Sequence, residues 1–175
     1  MVWVFILVLV SGVFVSLSYQ VVKQRQLDVY THTLCQDLQL LRSTSIATNQ
    51  DLKIVFYPTE NYYQYELEQD SFNVKGKNVR RDFPSTIGYP YYFGIESPVY
   101  VDEYGSICTG SVEFGYTGSP ILPRTLWFKH EGTPSAGGHV IITSCPDWRS
   151  SVVIVKPVTG RIRIGRVNFT SMDSN

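Results

Sequence analysis

Residues 2–22 have the sequence VWVFILVLVSGVFVSLSYQVV, an almost wholly apolar run that ends just before the first charged side chain, Lys23. A helix of about 20 apolar residues spans the hydrocarbon core of a bilayer. The alternative is a cleaved signal peptide, but such peptides begin with a basic segment and have a shorter apolar core. We therefore expect residues 1–22 to form the transmembrane half of a longer helix, and we expect this half not to be cleaved off.

The helical pattern continues beyond the apolar run. No Pro or Gly occurs between Gln20 and Thr48, and apolar residues recur there at spacings of three and four. The predicted stripe consists of Leu27, Tyr30, Leu34, Leu38, Leu41 and Ser45/Ile46. The polar residues predicted to lie mainly on other faces are Gln24, Asp28, Gln36, Asp37 and Arg42. Residues 23–49 are thus predicted to be an amphipathic helix half, continuous with the first and ended by Asn49.

From residue 50 onwards the pattern changes to that of strands and turns, which predicts a β domain over residues 50–175. The expected strands are 52–57, 62–68, 106–116, 125–132, 137–145, 150–157 and 160–166, with short strands and loops over 72–104. Two hairpins are expected, one joining 125–132 to 137–145 and the other joining 150–157 to 160–166. The predicted fold class is α+β, a long N-terminal helix packed on an antiparallel β-sheet domain.

Charge and cysteine content limit the possible functions. Lys plus Arg and Asp plus Glu each number 15, which disfavours a polycation that coats nucleic acid along its whole surface. None of the three cysteines belongs to a CxxC pair, so a zinc site is not expected. Outside the cytoplasm Cys108 and Cys145 could form a disulfide; otherwise the cysteines are small buried residues.

No arrangement of residues predicts an enzyme. The three histidines, His32, His130 and His139, do not accompany a nucleophile motif, and neither GxSxG nor HExxH occurs. No GxGxxG opens a helix, so a dinucleotide is not expected either. We predict no catalytic residues, no cofactor and no metal.

The order of these segments resembles type IV pilins and pseudopilins, and the details resemble the GspH/FimT group of minor pseudopilins. In LCQDLQLLRSTSIATNQDLKIVF (34–56), the family positions are filled by Leu38, Leu41, Arg42, Ser43, Ile46 and Val55, with Leu41 where Ala is usual and Thr44 where Glu is usual. In LWFKHEGTPSAGGHVIITSC (126–145) they are filled by Phe128, Gly132, Gly138, Val140 and Ile142, with His139 where Thr is usual. VVIVKPVTGRIR (152–163) is similar to the closing hairpin of the family.

The resemblance implies a structural subunit of a type IV pilus, a DNA-uptake pilus or a type II secretion pseudopilus. Its partners would be other pilin subunits through the N-terminal helix, the membrane and the inner-membrane assembly machinery. The β domain would be extracytoplasmic on a single-pass anchor. The alternative is a single-pass membrane-anchored protein unrelated to pili.

Two features near the N-terminus depart from the family pattern. Such pilins carry a short basic leader and a Glu at the fifth mature position, whereas aligning Gly12 with the family's helix glycine places Trp3 near the position of that Glu. In addition, Lys23 and Arg25 follow the apolar run, and the positive-inside rule taken alone would place the β domain in the cytoplasm. The family resemblance predicts the opposite orientation.

The candidate binding site is the segment Gly160-Arg161-Ile162-Arg163, extended by Arg166 and Lys156. It resembles a GRxR motif of the DNA-uptake members, which implies contact with DNA. Alternation along a strand places two guanidinium groups about 7 Å apart on one face, close to the spacing of successive phosphates. The alternative is that alternating Arg and Ile residues simply form a half-buried strand.

Overall fold

A computed structural model describes residues 2–67, 77–95, 99–101, 107–115, 123–145 and 147–169. Within these ranges, the side chains of residues 2–21, 23–24, 77, 99–101, 107–109, 166 and 168–169 lie outside the description. The chain begins with one helix, α1 (Val2–Thr48), which confirms that the two predicted helix halves are continuous. Asn49 follows with a φ of 55°, and the N–H of Gln50 donates to the carbonyl of Ser45, so the helix ends in a left-handed cap.

The predicted stripe of α1 is the face that packs on the β domain. Leu27, Leu34, Leu38 and Leu41 are buried, and Ser45 is buried at the end of the stripe. Of the two residues predicted for the end of the stripe, Ser45 is the buried one and Ile46 is exposed. One expectation for this helix was wrong, because Asp37, which was assigned to a polar face, is buried beneath the sheet.

Eleven strands follow α1 in the described part of the chain. They are β1 (Leu52–Tyr57), β2 (Tyr62–Leu67), β3 (Lys77–Asp82), β4 (Ile87–Gly88), β5 (Val99–Val101), β6 (Ile107–Thr109), β7 (Val112–Phe114), β8 (Arg124–Phe128), β9 (Gly138–Ser144), β10 (Arg149–Val155) and β11 (Ile162–Phe169), with a 3-10 helix (Pro90–Phe93) between β4 and β5. A four-stranded sheet has the order β3-β2-β1-β8, and a seven-stranded sheet has the order β4-β9-β10-β11-β5-β6 with β7 paired to β9. Every pairing is antiparallel, so the predicted α+β class is confirmed.

The core lies where both sheets meet the helix. Strand alternation brings Ile54 and Phe56 of one sheet and Val153 and Val155 of the other into one buried cluster with the leucines of α1. A separate buried cluster on the opposite face of the seven-stranded sheet contains Ile141, Val152, Ile154 and Val167. The central strands β9 and β10 are therefore apolar on both faces, which explains their continuous rather than alternating hydrophobic sequence.

The two hairpin predictions had different outcomes. The hairpin of β10 and β11 is present, with Val155 paired to Ile162. The hairpin expected from 125–132 and 137–145 is wrong, because β8 pairs with β1 and β9 pairs with β10 in the other sheet. The single strand expected over 106–116 is also wrong, since Gly110 at a φ of 82° separates β6 from β7 and the two strands have different partners.

The membrane segment predicted at residues 1–22 falls almost entirely on helix residues whose side chains lie outside the description. Over the part of the chain that the structure describes, no helix combines the length and the hydropathy needed to cross a membrane.

Candidate functional site

The predicted binding residues surround the turn that joins β10 to β11. The N–H of Lys156 donates to the carbonyl of Arg161 over 2.9 Å, which extends the strand pairing by one residue. Residues that are directly paired in antiparallel strands lie on the same face, so Lys156 and Arg161 are neighbours across the turn. Both side chains are exposed. The turn therefore presents two cations side by side.

Gly160 anchors this turn to the rest of the domain. A Cβ added to Gly160 would lie 2.6 Å from the carbonyl oxygen of Gly132 and 3.0 Å from Nε of Arg42. The Arg42 Nε–H donates to the same carbonyl over 3.1 Å. Gly160 also has a φ of 61°, a region that side chains disfavour. A residue of the predicted DNA motif is thus required by packing and backbone geometry, whether or not DNA binds.

Three segments that carried the family resemblance meet at this point. Arg42 belongs to the end of α1, Gly132 to the loop after β8, and Gly160 to the final turn. Beside Gly132, which has a φ of 79°, the side chain of Ile46 fills the space that a Cβ would need. We call the meeting of Arg42, Gly132 and Gly160 the helix-end junction. This junction fixes the position of the turn between β10 and β11, which carries Lys156 and Arg161 and which we call the cationic turn, relative to α1.

Arg163 and Arg166 differ from the two exposed cations. Arg163 is half-buried on β11 opposite Ile154, whereas Ile162 and Ile164 pack against the main core, so the predicted alternation of Arg and Ile is present. Arg166 pairs with Ser151, and its side chain lies outside the described residues. Arg161 and Lys156 are consequently the best exposed described members of the predicted set.

The loop beside the turn carries further charges. The His130 ring lies close to two carboxylates, with Nδ1 3.3 Å from Asp51 Oδ1 and Nε2 3.4 Å from Glu131 Oε2, and all three side chains are about half exposed. The backbone N–H of His130 donates to Asp51 Oδ1 over 2.8 Å, which ties this loop to the segment that follows α1. The cationic turn thus adjoins a loop of mixed charge.

A polar cluster centred on the buried Asp37, which the sequence did not predict, joins α1 to the four-stranded sheet. The Tyr63 hydroxyl donates to Asp37 Oδ2 over 2.8 Å, and Arg81 Nε donates to the same oxygen over 3.2 Å. Burial raises the pKa of Tyr63, with the Asp37 charge adding to the effect, and the hydrogen bond to Asp37 raises the pKa of Arg81. Asp37 lies three residues after Leu34 and four before Leu41, a spacing that could have placed it on the buried face.

Neither the cysteines nor the acidic groups form a site in the described structure. Cys35 and Cys145 are free, so the disulfide between Cys108 and Cys145 that the sequence left open is not present, and burial raises the pKa of the Cys35 thiol. Among the described residues, no three His, Cys, Asp or Glu side chains lie close enough together to hold a metal ion.

Comparison with solved structures identifies the type of fold. This chain is similar to the minor pseudopilin EpsH from the Type 2 Secretion System of Vibrio cholerae, with a TM-score of 0.50 over 79% of this chain and 95% of that one. The two sequences are 11% identical over the match. The chain therefore has a pilin-like pseudopilin fold, as the sequence motifs predicted. No protein-family model and no curated protein sequence matches the chain.

Proposed function

We propose that this chain is a minor pilin or pseudopilin, a structural subunit of a type IV pilus, a DNA-uptake pilus or a type II secretion pseudopilus. The pilin-like fold supports this proposal, and so does a continuous helix of 47 residues, about 70 Å long. The similar Vibrio cholerae protein belongs to a Type 2 Secretion System, which favours that machine. The apolar first half of the helix anchors the subunit in the inner membrane, where the assembly machinery takes it up.

One observation supports the assembly role: three exposed apolar residues of α1 lie on one line, which we call the second stripe. Val22, Val29 and Leu40 are 53%, 59% and 45% exposed. Eighteen residues are five helical turns, so Val22 and Leu40 lie on the same line, and Val29 lies about 20° from it. This line is separate from the leucines that face the sheet. This exposed line is the face of α1 that its own domain leaves open to a helix of a neighbouring subunit.

The test changes two neighbouring exposed positions of α1. Leu40→Glu places a carboxylate on the second stripe, and Gln39→Glu places one about 100° away. Burial of a leucine stabilises an interface by about 1.5–3 kcal/mol, and about 1.4 kcal/mol corresponds to a factor of ten. We expect Leu40→Glu to reduce the subunit recovered in the sheared fibre fraction by about tenfold or more, and Gln39→Glu to leave it unchanged.

The same experiment separates the alternative function. If the unmodified chain remains entirely in the membrane fraction while the other fibre subunits are sheared off, it is a single-pass membrane-anchored protein unrelated to pili. If it enters fibres but both glutamate variants enter equally, the second stripe is not the contact between subunits.

DNA capture is a second candidate function of the same subunit. The observation that favours it is the pair of exposed cations, Lys156 and Arg161, on a turn that the helix-end junction holds in place. Arg163 and Arg166 would add contacts along β11. Phosphate contacts of this kind bind DNA without reading its sequence.

A further inference from the structure

Three aromatic side chains form an exposed cluster on the β domain. Tyr92 and Phe93 of the 3-10 helix are T-shaped at 5.3 Å, and Phe93 and Trp148 are T-shaped at 6.2 Å. Tyr92 and Trp148 are each 42% exposed. We call these three residues the aromatic patch. Such a set of large rings on a surface indicates a contact with something apolar.

The backbone on both sides of the aromatic patch has a defined turn conformation. The 3-10 helix starts after the fully buried Tyr89 and ends at Gly94, whose φ of 85° reverses the chain. Trp148 lies in the turn between β9 and β10 with a φ of 51°, although bulky residues disfavour positive φ. Strain of this kind costs about 1–3 kcal/mol and persists only where the surrounding structure imposes it. The turn therefore displays the indole at the cost of backbone strain.

The patch lies at the end of the domain opposite the helix-end junction. A chain of ring contacts leads to it from α1: Tyr30 meets Phe83 at 5.8 Å, and Phe83 meets Tyr89 at 5.2 Å, directly before the 3-10 helix. Strand β10 starts beside Trp148 and ends at the turn that reaches Arg42. Its seven residues extend about 23 Å, comparable with the rise of about 18 Å along α1 from Tyr30 to Arg42.

This end of the domain is close to the predicted membrane segment. Tyr30 is eight residues, about 12 Å along the helix, from Val22, the last residue of the apolar run. The headgroup layer outside the hydrocarbon core is about 5–8 Å thick, and membrane helices tilt by about 20° on average, which lowers one side of the attached domain towards that layer.

We propose that the aromatic patch rests in the lipid headgroup layer while the subunit is held in the membrane. Trp and Tyr favour this layer because each has an apolar ring and a polar hydrogen-bonding group. Contact through the patch, together with the helix anchor, orients the β domain on the bilayer before assembly. The inference rests on the proposed membrane anchoring, and its test includes a separate measurement of that anchoring.

The three tryptophans of the chain lie at three different expected depths relative to the bilayer. Trp3 lies in the predicted membrane segment, Trp148 in the aromatic patch, and Trp127 on β8 near the far end of α1. Trp127 is also 42% exposed, which makes it a matched control for Trp148. Replacing two of the three with Phe leaves single-tryptophan forms of the full-length protein. These are reconstituted in phosphatidylcholine vesicles that carry a nitroxide either near the headgroup or deep in the acyl chain.

We expect the shallow nitroxide to quench Trp148 and to leave Trp127 unquenched, and the deep nitroxide to quench Trp3. Quenched Trp3 with unquenched Trp148 overturns the patch contact and leaves the anchor intact. Unquenched Trp3 overturns the anchor itself. Equal quenching of Trp148 and Trp127 also overturns the proposal, because the domain would then have no preferred orientation.

A second variant guards against a change in folding caused by the double replacements. The single change Trp148→Phe in the otherwise unmodified chain must remove the component quenched by the shallow nitroxide, while Trp127→Phe must retain it. If Trp148→Phe retains that component, the quenched ring is not in the aromatic patch and the proposal is wrong.

Discussion

Gly160 and Gly94 both have positive φ values, at 61° and 85°, but their surroundings differ. At Gly160 an added Cβ would meet Gly132 and Arg42, whereas at Gly94 it would meet nothing within 4 Å. The motif that resembles a DNA-binding signature thus contains a glycine that the helix-end junction requires. Its partners Arg42 and Gly132 are ninety residues apart in sequence, so no local pattern could have brought them together.

Substitution of each glycine by alanine separates the steric effect from the backbone effect. Gly94→Ala should lower the free energy of unfolding by about 1–2 kcal/mol, the cost of a left-handed residue. Gly160→Ala should lower it by about 1–3 kcal/mol more, because the methyl group overpacks the junction. Urea unfolding of both variants measures the difference. Equal losses would show that the junction yields without cost and that Gly160 is needed for its φ alone.

The exposed cations of the turn give the prediction for DNA. A Lys156→Gln/Arg161→Gln double variant should bind short duplex DNA more weakly at low salt. Each phosphate contact that is lost should reduce the slope of log affinity against log salt by about 0.9. Titration of the full-length chain in detergent at several salt concentrations measures both effects.

Arg25→Gln is the control for this prediction, since it removes an exposed cation from the helix instead of the turn. Binding that is equally weakened by Arg25→Gln would indicate a general charge effect. If the unmodified chain does not bind at low salt, DNA capture is not a function of the turn, and the structural role remains.

The sequence predicts the pairing of neighbouring strands better than it predicts which strands belong to different sheets. The hairpin of β10 and β11 was predictable because both strands are apolar on the core face and a short turn joins them. The wrong hairpin joined β8, which alternates between buried and exposed residues, to β9, which is almost continuously buried. This difference in burial pattern corresponds to the different sheets in which β8 and β9 lie. The pairing of β4 and β7 with β9 was not predictable, because these strands are short and their partner is distant in sequence, whereas β3 pairs with the preceding β2 and β5 with the following β6.

The sheet-facing stripe of α1 is tested by a charge at a buried position. Leu38→Asp should lower the free energy of unfolding by at least about 3 kcal/mol, because loss of the buried leucine costs about 2–5 kcal/mol and the carboxylate has no partner there. Gln36→Asp, at an exposed position two residues earlier, should change it by less than about 0.5 kcal/mol. Near-ultraviolet circular dichroism during unfolding follows both variants. An unaltered midpoint for Leu38→Asp would contradict the observed packing.

One helix contacts both sheets and, in the proposed function, the membrane as well. The core leucines of α1 pack against both sheets. Asp37, Tyr63 and Arg81 add a polar link to the four-stranded sheet, and Gly160 of the helix-end junction adds a link to the hairpin of the seven-stranded sheet. The sequence predicted the helix and its main stripe but not Asp37 as a buried partner, since a carboxylate is normally expected on a solvated face. The aromatic patch was also missed, because Tyr92 and Trp148 come together only in the folded domain.

The orientation of the whole molecule is tested by protease access. We expect protease added to intact spheroplasts to digest the β domain, since a pilus subunit carries that domain outside the inner membrane. Lys23 and Arg25 would favour the opposite orientation by the positive-inside rule. A cytoplasmic marker protein that survives in the same sample is the control. Digestion of the β domain only after lysis would indicate that the charge rule prevails.

The packing of α1 against β10 and β11 also constrains the order of events during synthesis. The helix is translated first, and β10 begins about 100 residues after the helix ends. Ribosomes add about 5–20 residues per second, so roughly 5–20 s pass before the final hairpin can cover Leu34, Leu38 and Leu41. Until then these leucines have only the partners that earlier strands such as β1 and β8 supply to the same core cluster. A nascent subunit therefore spends seconds with part of the core face of its helix uncovered.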